Sequence, residues 1–332
     1  MPQKKKEHPK EKLGLHPRNK HRERYHFKEL ISSSPELAPF VGLNDYNDES
    51  IDFSNAEAVM MLNKALLKQY YGVNHWTIPS GYLCPPVPGR ADYIHYVADL
   101  LGSFNKGIIP TGPQIRCLDI GVGANCIYPI IGNKEYGWSF VGSDIEPAAI
   151  TSAGKIIDTN AWLKGKVELR LQPRSKDIFR GIIHPDEHFD ITLCNPPFHS
   201  SLEEAQSGTL RKLSNLNHQR ITKPTLNFGG KNKELWCEGG EEKFVQTMIA
   251  QSKQMSSCCF WFSTLIAKSS HLKRVYTALK NAEAVDVKTI PMSQGNKTSR
   301  VVAWTYLTRE QQEKWANTRW ADFLNVDLLT AS

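Results

Sequence analysis

Ile115-Arg116-Cys117-Leu118-Asp119-Ile120-Gly121-Val122-Gly123-Ala124-Asn125 reads as a short apolar strand that ends in an acid and passes into a glycine turn. Two glycines spaced by one residue let backbone come close to a bound cofactor. Asp119, Gly121 and Gly123 are therefore cofactor-site candidates. The pattern serves NAD, FAD and S-adenosylmethionine alike. The third glycine of a G-x-G-x-x-G run is here Cys126, which argues against a dinucleotide. The next strand closes on Gly142-Ser143-Asp144-Ile145-Glu146. An acid at that strand's end is placed to accept the two ribose hydroxyls of an adenosine. Asp144 is the better candidate for that contact, with Glu146 as the cap of a helix opening at Pro147.

Around this centre, strands and helices alternate. Strands are expected at 115–120, 139–143, 167–171, 189–194 and 258–266, with helices at 147–160, 241–255 and 271–281. Two last strands, 285–290 and 300–307, are joined by a polar turn. A βαβ run ending in a hairpin predicts an α/β fold with a mostly parallel, doubly wound sheet and one antiparallel strand. Such sheets bind ligands beyond the carboxyl ends of their strands. Upstream, Ala58, Met61, Leu62, Ala65 and Leu66 recur at helical spacing within 55–71, and Ile94, Val97, Ala98 and Leu101 within 91–101. A breaker-rich stretch, 79–89, separates them. The expected organisation is a basic arm over 1–33, a helical region over 34–110, a sheet domain over 111–310 and a C-terminal helix or tail over 311–332.

Asn195-Pro196-Pro197-Phe198 follows directly on the strand Asp190-Ile191-Thr192-Leu193-Cys194. Two consecutive prolines fix two φ angles and remove two backbone donors. What remains are carbonyl oxygens and the Asn195 side-chain oxygen, acceptors suited to the two N–H groups of an exocyclic amine. Phe198 supplies a flat face for the ring that carries the amine. These four residues are the catalytic candidates.

The 332 residues carry 41 Lys and Arg against 34 Asp and Glu, a net charge of +7. Residues 1–28 hold ten of the cations and only Glu7, Glu11 and Glu23, so the arm carries the whole excess. With few large apolar side chains, it is expected to be disordered and to bind phosphate backbones. The stretch 199–237 is long for a loop inside a compact domain. It contains Arg211, Lys212, Arg220, Lys223, Lys231 and Lys233. Against Glu203, Glu204 and Glu234, these cations read either as a clamp on nucleic acid around a flipped base, with Lys297 and Arg300 at the same edge, or as a solvated insertion.

Seven Cys, with no C-x-x-C pair, make neither a disulfide framework nor a zinc module. His184, His188 and His199 lack metal-ligand spacing. No apolar run approaches the length of a membrane span, about 18 residues. A cytoplasmic, metal-free monomer is expected.

Asn195-Pro196-Pro197-Phe198 resembles the catalytic motif of the S-adenosylmethionine-dependent amino-methyltransferases. The wider sequence, from about Asn55 to Thr308, resembles one branch of them. That branch is the bacterial large-subunit (23S) rRNA adenine-N6-methyltransferases and their eukaryotic relatives that act on small nuclear RNA. The resemblance rests on Pro88-Gly89-Arg90, Tyr93-Ile94-His95, Asp119 to Gly121 through Tyr128-Pro129, Cys194 to Phe198, Glu238-Gly239-Gly240-Glu241, Gln294-Gly295 and Ser299-Arg300. It implies a class I methyltransferase fold, S-adenosyl-L-methionine as cofactor and an adenine of 23S rRNA, naked or in an assembling large subunit, as target. It also implies Arg90 near the methionine carboxylate; by itself Arg90 reads as a surface residue after a proline-rich loop. Three rivals are a DNA amino-methyltransferase, a protein-glutamine methyltransferase and a non-catalytic RNA-binding assembly factor. The first lacks a separate recognition domain here, the second does not explain the basic arm, and the third does not explain an intact Asn195 and glycine turn.

Overall fold

The computed structural model describes residues 12–44, 46–201, 203–204, 232–294 and 297–320. In chain order the first elements are α1 (Phe27–Ser33), β1 (Val41–Leu43), β2 (Glu49–Ile51), α2 (Ala56–Tyr71) and α3 (Val87–Gly102). The central run is β3 (Arg116–Ile120), α4 (Ile127–Tyr136), β4 (Ser139–Asp144), α5 (Pro147–Thr159), β5 (Val167–Leu171) and β6 (Phe189–Cys194). After it come α6 (Asn232–Leu235), α7 (Gly240–Gln254), β7 (Cys259–Ile266), α8 (Leu272–Asn281), β8 (Asp286–Gln294), β9 (Lys297–Thr305) and α9 (Arg309–Arg319).

One seven-stranded sheet has the order β5-β4-β3-β6-β7-β9-β8. Strands β3 to β7 run parallel, and β9 lies antiparallel between β7 and β8. Every residue of β6 and β7 is buried, as expected of central strands covered on both faces. Leu118, Ile120, Phe262 and Trp304 face one core layer, while Cys117, Leu193, Trp261 and Ala303 face the other. The chain reverses its winding between β3 and β6, so the carboxyl ends of those strands flank the crevice where such sheets hold ligands.

Local chemistry sets the helix ends. Asn55 accepts the N–H groups of Glu57 and Ala58 and opens α2, and Gly72, at φ 71°, closes it. Helix α3 begins at Val87, inside the stretch expected to be a loop, because Pro88 falls in its first turn, where a missing N–H costs nothing. Helix α4 was not expected at all. Its Pro129 also lies in the first turn, and a Cβ on Gly132 would come within 2.4 Å of the Phe140 ring.

The arm departs most from expectation. Residues 12–33 are not a free arm: they pack on the body of the protein. His16 and Asn19 are buried and donate to Asp92 Oδ1, the backbone N–H of His16 at 2.9 Å and the Asn19 amide at 2.5 Å. Arg18 pairs with Asp99 at 2.6 Å, Lys20 with Glu135 at 2.8 Å and Arg24 with Asp48 at 2.8 Å. His21 meets the Tyr71 hydroxyl at 3.0 Å. Polar partners on α2, α3 and α4 order residues 16–21, Leu15, Phe27 and Leu30 are buried as apolar anchors, and three of the segment's cations are already neutralised. Residues 1–11 lie outside the described part.

A boundary at 110 also falls inside a core. Phe27, Leu30, Leu62 and Leu66 form a small cluster of their own. Val97, Leu101 and other buried residues of α3 belong to the main core with Ile115, Phe260 and Trp315. The C-terminal stretch to Trp320 is likewise part of the fold. Asp190, buried in β6, accepts the indole N–H groups of Trp315 and Trp320 at 2.8 and 2.9 Å and the backbone N–H of Arg116 at 2.8 Å. No described helix is long and apolar enough to cross a membrane.

Candidate active site

The glycine turn after β3 is built by its neighbour. Gly121 and Val122 both donate their backbone N–H to the Ser143 carbonyl at 2.9 Å. Gly123 donates to Asp144 Oδ2 at 3.0 Å, while Asp144 Oδ1 accepts the Glu146 N–H at 2.9 Å. Gly121 and Gly123 have φ of 77° and 64°, values that side-chain-bearing residues rarely adopt. Cys126 takes φ 54° as well, so the left-handed bend survives where the dinucleotide pattern has its third glycine.

Asp119 sits beneath this turn, fully buried, and neither of its oxygens has a hydrogen-bond partner among the described residues. Burial, with the nearby charge of Asp144, pushes its pKa up to about 8, and Arg90 opposes that shift. A bare buried carboxylate is the complement of an ammonium group. Arg90 is buried on α3 and donates to the Tyr128 hydroxyl at 2.8 Å. Its guanidinium stands 5.6 Å from the Tyr128 ring centre. The structure therefore gathers Asp119, Gly121, Gly123 and Asp144 at one end of β3 and β4, and sets Arg90 inside the protein rather than on its surface.

The Asn195-Pro196-Pro197-Phe198 stretch begins where β6 ends, beside the end of β3, with which β6 pairs through Ile120↔Cys194. The Asn195 side-chain oxygen is buried and has no partner among the described residues. Beyond it, the chain folds back on itself. His199 donates to Leu235 O at 3.0 Å and accepts from Cys237 N at 3.1 Å. The two ends of the 199–237 stretch thus meet directly after the Asn195-Pro196-Pro197-Phe198 turn. Gly240, at φ 62°, packs on the Ser200 backbone, and a Cβ there would come within 3.2 Å of the Ser200 nitrogen. Residues 205–231, which hold Arg211, Lys212, Arg220, Lys223 and Lys231, lie outside the described part.

The sequence reading missed Glu234. In the fold its carboxylate accepts the Leu83 N–H at 2.9 Å. A Cβ placed on Gly123 would lie 3.4 Å from it. Burial, with Asp144 close by, pushes its pKa up to about 7. No local pattern marks this residue, because its partners are over a hundred positions away. Among the described residues no group of three or more His, Cys, Asp or Glu is placed to hold a metal ion.

Strand order, glycine turn and the acid after the second strand define a class I methyltransferase domain. The model of a family described as RNA methyltransferase matches residues 9–308, and the chain belongs to that family. It is 61% identical over 316 residues to the ribosomal RNA large subunit methyltransferase F of Cytophaga hutchinsonii, covering 95% of this chain and 98% of that one. The protein of the same name from Yersinia enterocolitica is 56% identical, covering 95% of each chain. Among solved structures, the human METTL16 catalytic domain in complex with a MAT2A 3'UTR hairpin superposes with a TM-score of 0.74 at 28% identity, covering 88% of this chain and 96% of that one. The N-terminal domain of human METTL16 in complex with SAH gives a TM-score of 0.70 at 26% identity, covering 89% and 99%.

Proposed function

We propose that this chain transfers a methyl group from S-adenosylmethionine to the N6 amine of one adenine in 23S ribosomal RNA. The observation that carries the reading is the bare, buried Asn195 oxygen at the end of β6, one strand away from the glycine turn. The names of the relatives supply the large-subunit RNA; the acceptor chemistry supplies the amine.

The residues fit the cofactor. Asp119 offers an unpaired buried carboxylate to the methionine ammonium, and Arg90 lies in reach of the same charge. We assign Arg90 to the methionine carboxylate and Asp144 to the ribose hydroxyls. Each Asp144 oxygen holds one backbone N–H and keeps acceptor capacity for a hydroxyl. Gly121 and Gly123 leave room for the cofactor to lie against the turn. When bound, S-adenosylmethionine supplies an electrophilic methyl group on a sulfonium centre.

The difficult partner is the amine, whose lone pair is delocalised into the adenine ring. Asn195 Oδ1 and the Pro196 carbonyl accept its two N–H groups. That draws the nitrogen toward a pyramidal shape and aims its lone pair at the methyl. Pro196 and Pro197 hold the acceptors in place before the base arrives, so they need no reorganisation during transfer. Phe198 gives the purine a face to stack on. The Asn195 amide stays neutral throughout, and the methylated nitrogen, briefly cationic, loses its surplus proton to water. Rate then comes from positioning and electrostatics.

The test is mass-spectrometric mapping of 23S rRNA nucleosides in cells lacking the chain. One N6-methyladenosine should disappear and return with the wild-type gene but not with Asn195→Ala. An unchanged set of modified adenines would overturn the reading.

A further inference from the structure

Strands β6 and β7 pair at Phe189↔Cys259 and Ile191↔Trp261, and the ladder ends there. That is four residues before Asn195. From this point to the catalytic motif, side-chain hydroxyls join the two strands. Ser263 donates its backbone N–H to Thr192 Oγ1 at 3.1 Å and its hydroxyl to the Thr192 carbonyl. The Tyr93 hydroxyl meets Ser263 Oγ at 2.8 Å and accepts the Cys194 N–H at 3.3 Å. With the Ser263 proton committed to Thr192, the proton between Tyr93 and Ser263 comes from Tyr93.

Tyr93 thus fills the place a ladder bond would take under the residue that precedes Asn195. It is fully buried. It lies three positions after Arg90, so the two share a face of α3. Both engage Tyr128: Arg90 donates to its hydroxyl, and the Tyr93 ring packs edge-on at 5.3 Å between centres, 89° between planes. Its phenol therefore spans from the Arg90 side of the cofactor pocket to the base of the acceptor motif.

We propose that Tyr93 is a positioning residue for methyl transfer, its hydroxyl wedged between Cys194 and Ser263 to set where Asn195 stands relative to Arg90 and Tyr128. The proposal rests on the assignment of Asn195 as amine acceptor. A displacement of the acceptor by a fraction of an ångström leaves binding intact and misaligns the lone pair, so the effect belongs in turnover.

The experiment is steady-state kinetics of Tyr93→Phe on a 23S rRNA fragment, with cofactor affinity measured by calorimetry. Phe keeps the ring and its packing on Tyr128 and deletes one hydroxyl. kcat should fall by about tenfold to a hundredfold, while the RNA KM and the cofactor Kd stay within about twofold. Ser263→Ala removes the same link from the other end and should show the same split, which keeps the test open if Tyr93→Phe folds poorly. The double variant should be little worse than either single one, because both break one link. Wild-type kcat in both single variants, or a loss that appears equally in KM or Kd, overturns the proposal. Asn195→Ala, run alongside, separates the two readings. If it is inactive while both hydroxyl variants turn over normally, only the role of Tyr93 fails; if it is itself active, the acceptor assignment fails first.

Discussion

The turn after β3 and the motif after β6 stand side by side at one edge of the sheet, and they are held in opposite ways. The turn is a backbone object: three successive N–H groups, from Gly121 to Gly123, are taken by Ser143 and Asp144 of the adjoining strand. Its side chains contribute little beyond the absence of a Cβ. The acceptor motif has almost no donors of its own, since Pro196 and Pro197 lack the N–H. The N–H just before it, on Cys194, goes to a tyrosine hydroxyl from another element. One half of the site is made by strand pairing and the other by side chains from distant parts of the chain. Side-chain changes in the second half should therefore damage chemistry while leaving cofactor binding intact.

The largest expected effect is at Asn195. Asn195→Ala should lower single-turnover methyl transfer by a factor on the order of a thousand, in the range seen when a preorganised transition-state contact is removed. Cofactor affinity by calorimetry should hardly move. A comparable drop in both quantities would place Asn195 in the cofactor half and erase the contrast.

Next in size is the pH response of the cofactor half. Asp119 has its pKa raised from 3.8 to about 8. The unfolded chain therefore releases this proton first, and the stability it supports is complete at low pH and lost as pH rises from about 4 to about 8. Glu234, raised to about 7, acts in the same direction. Melting temperature of the cofactor-free protein should fall across this range, and S-adenosylhomocysteine, which brings an ammonium, should flatten the curve. An Asp119→Asn protein with the wild-type slope would show that the carboxylate is not the source.

The smallest effect concerns the N-terminal lysines. Arg18, Lys20 and Arg24 are engaged in ion pairs, which leaves Lys4, Lys5, Lys6 and Lys10 as the cations of residues 1–11. Deleting 1–11 should leave melting temperature and cofactor affinity unchanged. It should reduce the slope of log RNA affinity against log salt by at most about 3, at roughly 0.7 per phosphate contact on single strands. Deleting 1–28 instead should also lower stability, because it takes away the partners of Asp92 and Asp99. An unchanged salt slope on removing 1–11 would move the RNA contacts elsewhere.

Most of the sheet was legible because buried parallel strands are short apolar runs bounded by breakers: β5 and β6 fall where the sequence alone places them. The place of the Asn195-Pro196-Pro197-Phe198 turn was legible because it follows directly on β6. What escaped has a common cause. Helix α4 hid behind Pro129 and Gly132, whose tolerance depends on a first-turn position and on the Phe140 ring. Residues 12–24 looked disordered because their partners, Asp92, Asp99 and Tyr71, are 50 or more positions away. Glu234 reaches Leu83 across 151 positions. Composition describes what a segment carries; it does not say which buried acid awaits it on another helix.

The acceptor assignment is tested most directly by removing the amine rather than the enzyme's side chain. Two RNA fragments are compared, one with the mapped adenine and one with purine riboside in its place, each bound to wild type and to Asn195→Ala in the presence of S-adenosylhomocysteine. Loss of the amine should weaken wild-type binding by about tenfold, the worth of one to two buried hydrogen bonds, and should weaken the variant's binding by clearly less, since only the Pro196 carbonyl is left there to receive the amine. Equal losses in the two proteins would show that the Asn195 oxygen does not receive the adenine amine.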